Sequence, residues 1–286
     1  MKLFKLTAMA LAMAASTQAS AYNITWNGNW AFNYQGTGLA GAYMPIDEMT
    51  FLGVSFVDTD PGVNGVVNAG DTFQDYGRLG ATGFQNDGSP LLPFDTGLGV
   101  NYMITGAFDD WTGSFTSGTT YQFTSGSIDL YLGTGATIGY NDFASAQDGT
   151  KIMTMEIEVG EGTIDFSNPA GVDGTIDILF KITDVAQGYW FLDTDADGIA
   201  DTDVYDLLGT GLTVGLTDSN ANIFTPNVSV VTDFVVNTGA GNVIGAGDIY
   251  VTNDGSYEIA AIPEPGTLAL LGLGLAGLGL SMRRKA

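Results

Sequence analysis

Residues 150–185 carry the clearest alternation of apolar and polar positions in the chain. Met153, Met155, Ile157 and Val159 alternate with Thr154, Glu156 and Glu158, and Ile176, Ile178, Phe180 and Ile182 alternate with Asp177, Leu179 and Lys181. A period of two sends successive side chains to opposite faces, so each run predicts a strand with one buried face. Ile128, Leu130 and Leu132, separated by Asp129 and Tyr131, repeat the pattern. Runs rich in β-branched and aromatic residues predict further strands near residues 24–34, 50–57, 100–108, 111–115, 120–124, 227–236 and 248–259. Gly36-Thr37-Gly38, Gly133-Thr134-Gly135 and Gly209-Thr210-Gly211 fall between them at uneven intervals, which marks turn chemistry rather than a solenoid repeat. No stretch between the two ends shows a helical period. Short antiparallel strands with Gly-rich turns predict an all-β body, an antiparallel β-sandwich or jelly roll. No Pro- or Ser-rich linker breaks it, so one domain over residues 22–261 is expected, with a division near 144–150 as the alternative.

The two ends follow other rules. Lys2 and Lys5 precede an apolar run at residues 6–15, and Ala19-Ser20-Ala21 supplies small residues before Tyr22. This is the layout of a signal peptide, residues 1–21, cut by signal peptidase after Ala21. The apolar run is too short for a stable span, which sets this reading above an uncleaved N-terminal anchor. At the other end Ile262-Pro263-Glu264-Pro265 leads into seventeen uncharged residues, 266–282, and then Arg283, Arg284, Lys285 and Ala286. Seventeen residues are the short end of a membrane-spanning helix, and three cations behind it hold that end in the cytoplasm. A Pro-Glu-Pro element, one short transmembrane helix and a basic tail, in that order over residues 262–286, resemble the PEP-CTERM sorting signal of Gram-negative bacteria. The alternative is a plain single-span anchor. The resemblance implies recognition by an exosortase, a membrane peptidase, and cleavage at or near Pro263-Glu264-Pro265. The anchor is then lost or exchanged, and the protein comes to rest at the cell surface or in the extracellular matrix.

Setting the ends aside sharpens the charge. Five of the eight basic residues lie in them, leaving Arg78, Lys151 and Lys181 against 31 of the 32 acidic residues, a net charge of −28 for the body. Such a surface repels phosphate backbones and excludes nucleic acid as a partner. It attracts divalent cations, and its self-repulsion weakens the fold unless they screen it. The absence of cysteine excludes a disulfide framework, and about 240 residues bury enough surface to do without one. The absence of histidine removes Ser-His-Asp and Cys-His nucleophiles and imidazole metal sites. Carboxylate acid–base chemistry remains open to an enzyme.

The strongest chemical motif in the body is residues 193–203, Asp-Thr-Asp-Ala-Asp-Gly-Ile-Ala-Asp-Thr-Asp. Asp193, Asp195 and Asp197 occupy positions 1, 3 and 5 of a loop that converges on one hard cation. Gly198 permits the sharp turn at position 6, Ile199 offers its carbonyl at 7, and Asp201 ligates at 9 directly or through water. The loop is similar to the calcium loops of EF-hands, dockerins and thrombospondin type 3 repeats. It departs from them at position 12, where Val204 replaces the bidentate acid and Asp203 or Asp206 would substitute. A fainter loop has the same spacing, with Asp60 at position 1, Asn64 at 5, Val66 at 7, Asn68 at 9 and Asp71 at 12. Gly62 at its position 3 has no ligand, so an Asx-rich turn is an equal reading. Such incomplete loops belong to the extracellular affinity class, with Kd on the order of 10⁻⁴–10⁻³ M for Ca2+.

Other candidates are weaker. Asp109-Asp110 and Glu156/Glu158 could serve a glycosidase, but carboxylate pairs are expected by chance among so many acids. Trp26, Trp30, Trp111 and Trp190 could stack on sugars, though aromatic residues on strands more often fill cores. Tyr189-Trp190-Phe191, beside the calcium loop, is the best candidate for such a platform. Residues 64–73 (Asn-Gly-Val-Val-Asn-Ala-Gly-Asp-Thr-Phe) and the run 114–132 resemble, more loosely, flocculation-associated PEP-CTERM proteins. That resemblance implies export alongside exopolysaccharide and a role in cell aggregation. Two classes are therefore expected: a non-enzymatic, calcium-stabilised surface or matrix protein of biofilm or floc, or a secreted carbohydrate-binding or carbohydrate-active protein.

Overall fold

The computed structural model describes residues 30–38, 43–60, 66–134, 141–165, 172–195, 197–224, 233–234 and 248–261. The expected leader (1–21, with Ala19 and Ala21), Trp26, and the sorting segment (262–286, with Pro263, Glu264, Pro265, Arg283, Arg284 and Lys285) lie outside them. So does most of the strand expected at 227–236, of which only Asp233 and Phe234 are described, in a helical turn. Among the described residues no helix is long and apolar enough to cross a membrane.

The strands are β1 (Trp30–Phe32), β2 (Tyr43–Ile46), β3 (Glu48–Asp60), β4 (Thr72–Asn86), β5 (Ser89–Pro90), β6 (Tyr102–Phe115), β7 (Thr120–Ser125), β8 (Ser127–Thr134), β9 (Thr150–Asp165), β10 (Val172–Val185), β11 (Trp190–Leu192), β12 (Thr202–Asp203), β13 (Leu212–Phe224) and β14 (Ile249–Ala261). Their pairing corrects the sandwich or jelly-roll expectation. β3 pairs with β4, β4 with β6, and β9 with β10; β10 then pairs with β13, β13 with β14, and β14 returns to β3, always antiparallel. β7 and β8 form one line broken at Gly126; both lie between β6 and β9. Counting that line once, eight strands close an up-and-down barrel. Each long strand folds back on its predecessor and the last meets the first, so the circuit leaves no exposed edge.

An eight-stranded barrel is just wide enough for side chains to fill, and here aromatic rings seated on glycines fill it. A Cβ on Gly77 would stand 2.1 Å from the Phe108 ring, and one on Gly162 2.2 Å from Tyr121. Trp111 stacks on Phe108 at 3.7 Å and meets Phe123 edge-on at 5.6 Å. Met153, Met155, Ile176, Ile178, Phe180 and Ile182 are buried, as their alternation predicts. Val159 is not: the pairing slips opposite Glu158, between Leu179 and Phe180, which reverses the faces of β9. Gly160 and Ile164 then turn inward, and Val159 is left 40% exposed.

A small second sheet, in the order β12-β11-β1-β2, covers one end of the barrel. Phe32 packs its ring 4.5 Å from Trp190 and 5.5 Å from Tyr102, joining this sheet to the barrel core. On the outer face Phe56, Tyr76 and Ala107 are buried under Phe143, Ala146 and Phe234. Asp233 holds that layer by pairing with Arg78 at 3.1 Å and accepting from the Phe143 N–H at 3.0 Å. The segment at 144–150 therefore packs on the barrel: Ala146 O accepts from Thr105 Oγ1 at 2.7 Å, and β8 and β9 on either side of it are hydrogen-bonded neighbours.

Candidate calcium-binding site

Residues 193–201 form the connection between β11 and β12, whose register pairs Leu192 with Thr202. The base of this loop is anchored: Leu192 and Val204 belong to the main core, while Phe191 packs with Ala31 and Ala200. Above it Asp193, Asp195 and Asp197 each bring one carboxylate oxygen to within 4.8 Å of the others. Gly198 takes φ 89°, a left-handed conformation suited to glycine, at the position that the motif assigns to the sharp turn. Its N–H donates to Asp193 Oδ2 at 2.8 Å, and the Ile199 N–H donates to Asp197 Oδ1 at 2.8 Å. The backbone thus wraps around the carboxylates and holds them together. Three like charges in that space repel one another, and a hard cation among them turns repulsion into attraction. The donor set fits calcium, with backbone carbonyls such as that of Ile199 and water left to complete six to eight oxygens.

The remaining expected ligands divide. Asp201 lies outside the three-carboxylate group and is exposed, its Oδ1 accepting from Thr202 Oγ1 at 3.4 Å. Asp203 is occupied elsewhere, accepting from the Gly188 N–H at 2.8 Å and the Tyr205 N–H at 3.0 Å. It caps the 3-10 turn Val204–Leu207 and ties the loop base to the β10–β11 connection. Asp206 is exposed within that turn and outside the group.

The fainter loop is the β3–β4 hairpin, with Asp60 paired in register with Thr72. Asn64 lies outside the described residues. Asp71 Oδ2 accepts from the Asn68 N–H at 2.7 Å, and the Asn68 side chain donates to the Val66 carbonyl. Val66, Asn68 and Asp71 thereby satisfy one another, as in an Asx-rich turn. Asp60 and Asp71 join no cluster of three carboxylates among the described residues.

The aromatic platform is corrected. Trp190 and Phe191 are 1% and 3% exposed, Trp30 and Trp111 are equally buried, and Tyr189 packs against the core. These rings close the barrel end and interior and present no face to a ligand. The paired acids have structural work as well. Asp110 accepts from the Ser127 N–H at 2.7 Å and Oγ at 3.0 Å, fixing the break between β7 and β8. Burial, then the charge of Asp110, raises the pKa of Asp109. Glu156 and Glu158 are exposed on β9.

Sequence reasoning missed two features. One is an open groove of about 450 Å3 of mixed lining, with Asp58, Asp60, Gln74, Thr112 and Thr124 beside Phe73. The other is Asp75, a carboxylate inside the barrel.

No curated protein and no solved structure matches the chain. Residues 261–285 match the family model of the PEP-CTERM protein-sorting motif. The chain therefore carries a PEP-CTERM protein-sorting motif at residues 261–285, which supports its export and implies processing by an exosortase-type membrane peptidase.

Proposed function

We propose that the barrel is the exported working part of the molecule: a non-enzymatic protein of the cell surface or extracellular matrix of a Gram-negative bacterium, stabilised by calcium and acting in biofilm or floc cohesion with exopolysaccharide. The observation that carries the calcium part is the convergence of Asp193, Asp195 and Asp197 on a loop anchored to the core. Calcium there neutralises the loop and stiffens the sheet that covers the barrel end. Further calcium on so anionic a surface bridges to acidic polysaccharide or to neighbouring copies.

The test is thermal unfolding of the full chain in detergent micelles, in calcium and in chelator. With a Kd on the order of 10⁻⁴–10⁻³ M, about 5 mM calcium contributes about 1–2 kcal/mol, a rise in Tm of about 2–8 °C. Asp195→Asn should remove most of that rise, and chelation should disperse aggregates of the producing cells. Equal Tm with and without calcium, or aggregates indifferent to chelator, would contradict the reading. A second reading, carbohydrate binding, is favoured by the Asp58–Gln74–Thr112 groove, whose carboxylates, amide and hydroxyls suit sugar hydroxyls. Glycan-array binding lost on Gln74→Ala would promote it.

A further inference from the structure

Asp75 lies on β4 facing the barrel interior, in register with Val57 of β3 on one side and Trp111 of β6 on the other. It is 3% exposed. Two cavities of about 20 Å3 flank it, one beside Phe73, Phe115 and Tyr121, the other beside Leu79, Phe108 and Leu216. Each is the size of a single water molecule. The Tyr76 N–H bonds the carboxylate, and Ser55 reaches toward it from β3. Yet Asp75 Oδ1 and the Ser55 hydroxyl oxygen both lack a partner at bonding geometry.

Among the described residues no compensating charge comes from the neighbouring strands. Arg78, the basic residue of β4, turns to the outer face and pairs with Asp233 at 3.1 Å. Asp58 of β3 and Asp109 of β6 act on Tyr76, on that same outer face. Asp248, ahead of β14, accepts from the Thr59 N–H, and Asp177 and Lys181 of β10 and Glu161 of β9 are exposed. Ionising Asp75 would therefore strand an anion among aromatic rings, which burial disfavours strongly.

We propose that Asp75 is a proton-dependent lock on the barrel: it rests neutral inside the closed fold in acid surroundings, and the barrel loosens as the surroundings rise from acid to neutral. Burial moves its pKa from 3.8 to about 7, against the smaller opposing effects of the nearby Ser55 hydroxyl and the Tyr76 N–H. A raised carboxyl pKa means that the folded state binds the proton more tightly than the unfolded chain does. The stabilisation is complete below the unfolded value near 3.8, declines as pH rises toward about 7, and is gone above it. Inside that window the unfolding constant grows up to about tenfold per pH unit from this group alone.

The experiment compares the full chain in detergent micelles with its Asp75→Asn variant, by denaturant unfolding across the window at fixed saturating calcium. The other carboxylates titrate in both proteins, so the ratio of the two unfolding constants isolates Asp75. That ratio, wild type over variant, should climb with pH and level off above about 7. Should the variant not fold, the carboxyl carbon resonance of Asp75 in the wild type decides, with an expected midpoint near neutrality. A constant ratio, or a resonance titrating in the ordinary carboxylate range, overturns the proposal.

Discussion

Gly113→Val should destabilise the barrel by about 3 kcal/mol or more, at or beyond the upper end of ordinary overpacking. Gly113 lies in register with Phe73 on one side and Phe123 on the other. A Cβ there would come within 2.2 Å of the Phe73 ring and 2.3 Å of the Gln122 carbonyl oxygen. A ring at the far end of a side chain can turn aside. A backbone carbonyl in a closed ladder cannot move without breaking its strand pairing. Gly113→Ala should already be costly, and valine adds two methyl groups to a filled interior. Gly70→Ala is the contrast: no described residue lies within 4 Å of its added Cβ, and the positive φ of 93° is what is strained, at about 1 kcal/mol. Chemical denaturation of the three proteins measures the difference. A Gly113→Val midpoint equal to that of Gly70→Ala would contradict the filled-barrel account.

Trp111→Ala should cost about 3–5 kcal/mol, the range for deleting a large buried aromatic side chain. Four interactions vanish together: the stack on Phe108 at 3.7 Å, the tilted contact with Phe180 at 5.5 Å, the edge-on contact with Phe123 at 5.6 Å, and the Nε1–H bond to the Ser127 carbonyl at 2.8 Å. The last pins the line of β7 and β8 where it breaks at Gly126, which accommodates the indole; a Cβ there would stand 2.5 Å from Trp111 Cδ1. Trp111→Phe keeps a ring and loses the hydrogen bond, so it should retain most of the stability. Equal losses for alanine and phenylalanine would show that the hydrogen bond, and not ring packing, dominates.

These sites show which parts of the fold were legible in the chain. The faces of β10 were, because Ile176, Ile178, Phe180 and Ile182 alternate without interruption. The barrel was not, because a sandwich and a meander barrel ask the same alternation of their strands. What separates them is the pairing of β14 with β3, between residues as far apart as Ile249 and Val57. β4 escaped notice for a related reason. Its inward positions include Phe73, Asp75, Gly77 and Leu79, and glycines that seat aromatic rings carry no apolar signal of their own. Applying the period of two across residues 72–86 would have set Asp75 on the buried face. The bulge at Glu158 that exposes Val159 leaves no mark in the local pattern. At the candidate site, the spacing of Asp193, Asp195 and Asp197 announced their convergence because the ligands of one loop are local. The work of Asp203 did not show, since its partner Gly188 belongs to a different connection. The sorting motif at residues 261–285 was the most legible feature, being a linear signal read without a fold.

The central claim is that the two termini are addresses around an exported barrel. Intact-mass spectrometry of the protein recovered from its producing cells tests it most directly. The predicted mass is that of a chain beginning at Tyr22 and ending at or near Pro263-Glu264-Pro265, with or without an attached group. A mass equal to all 286 residues would contradict it.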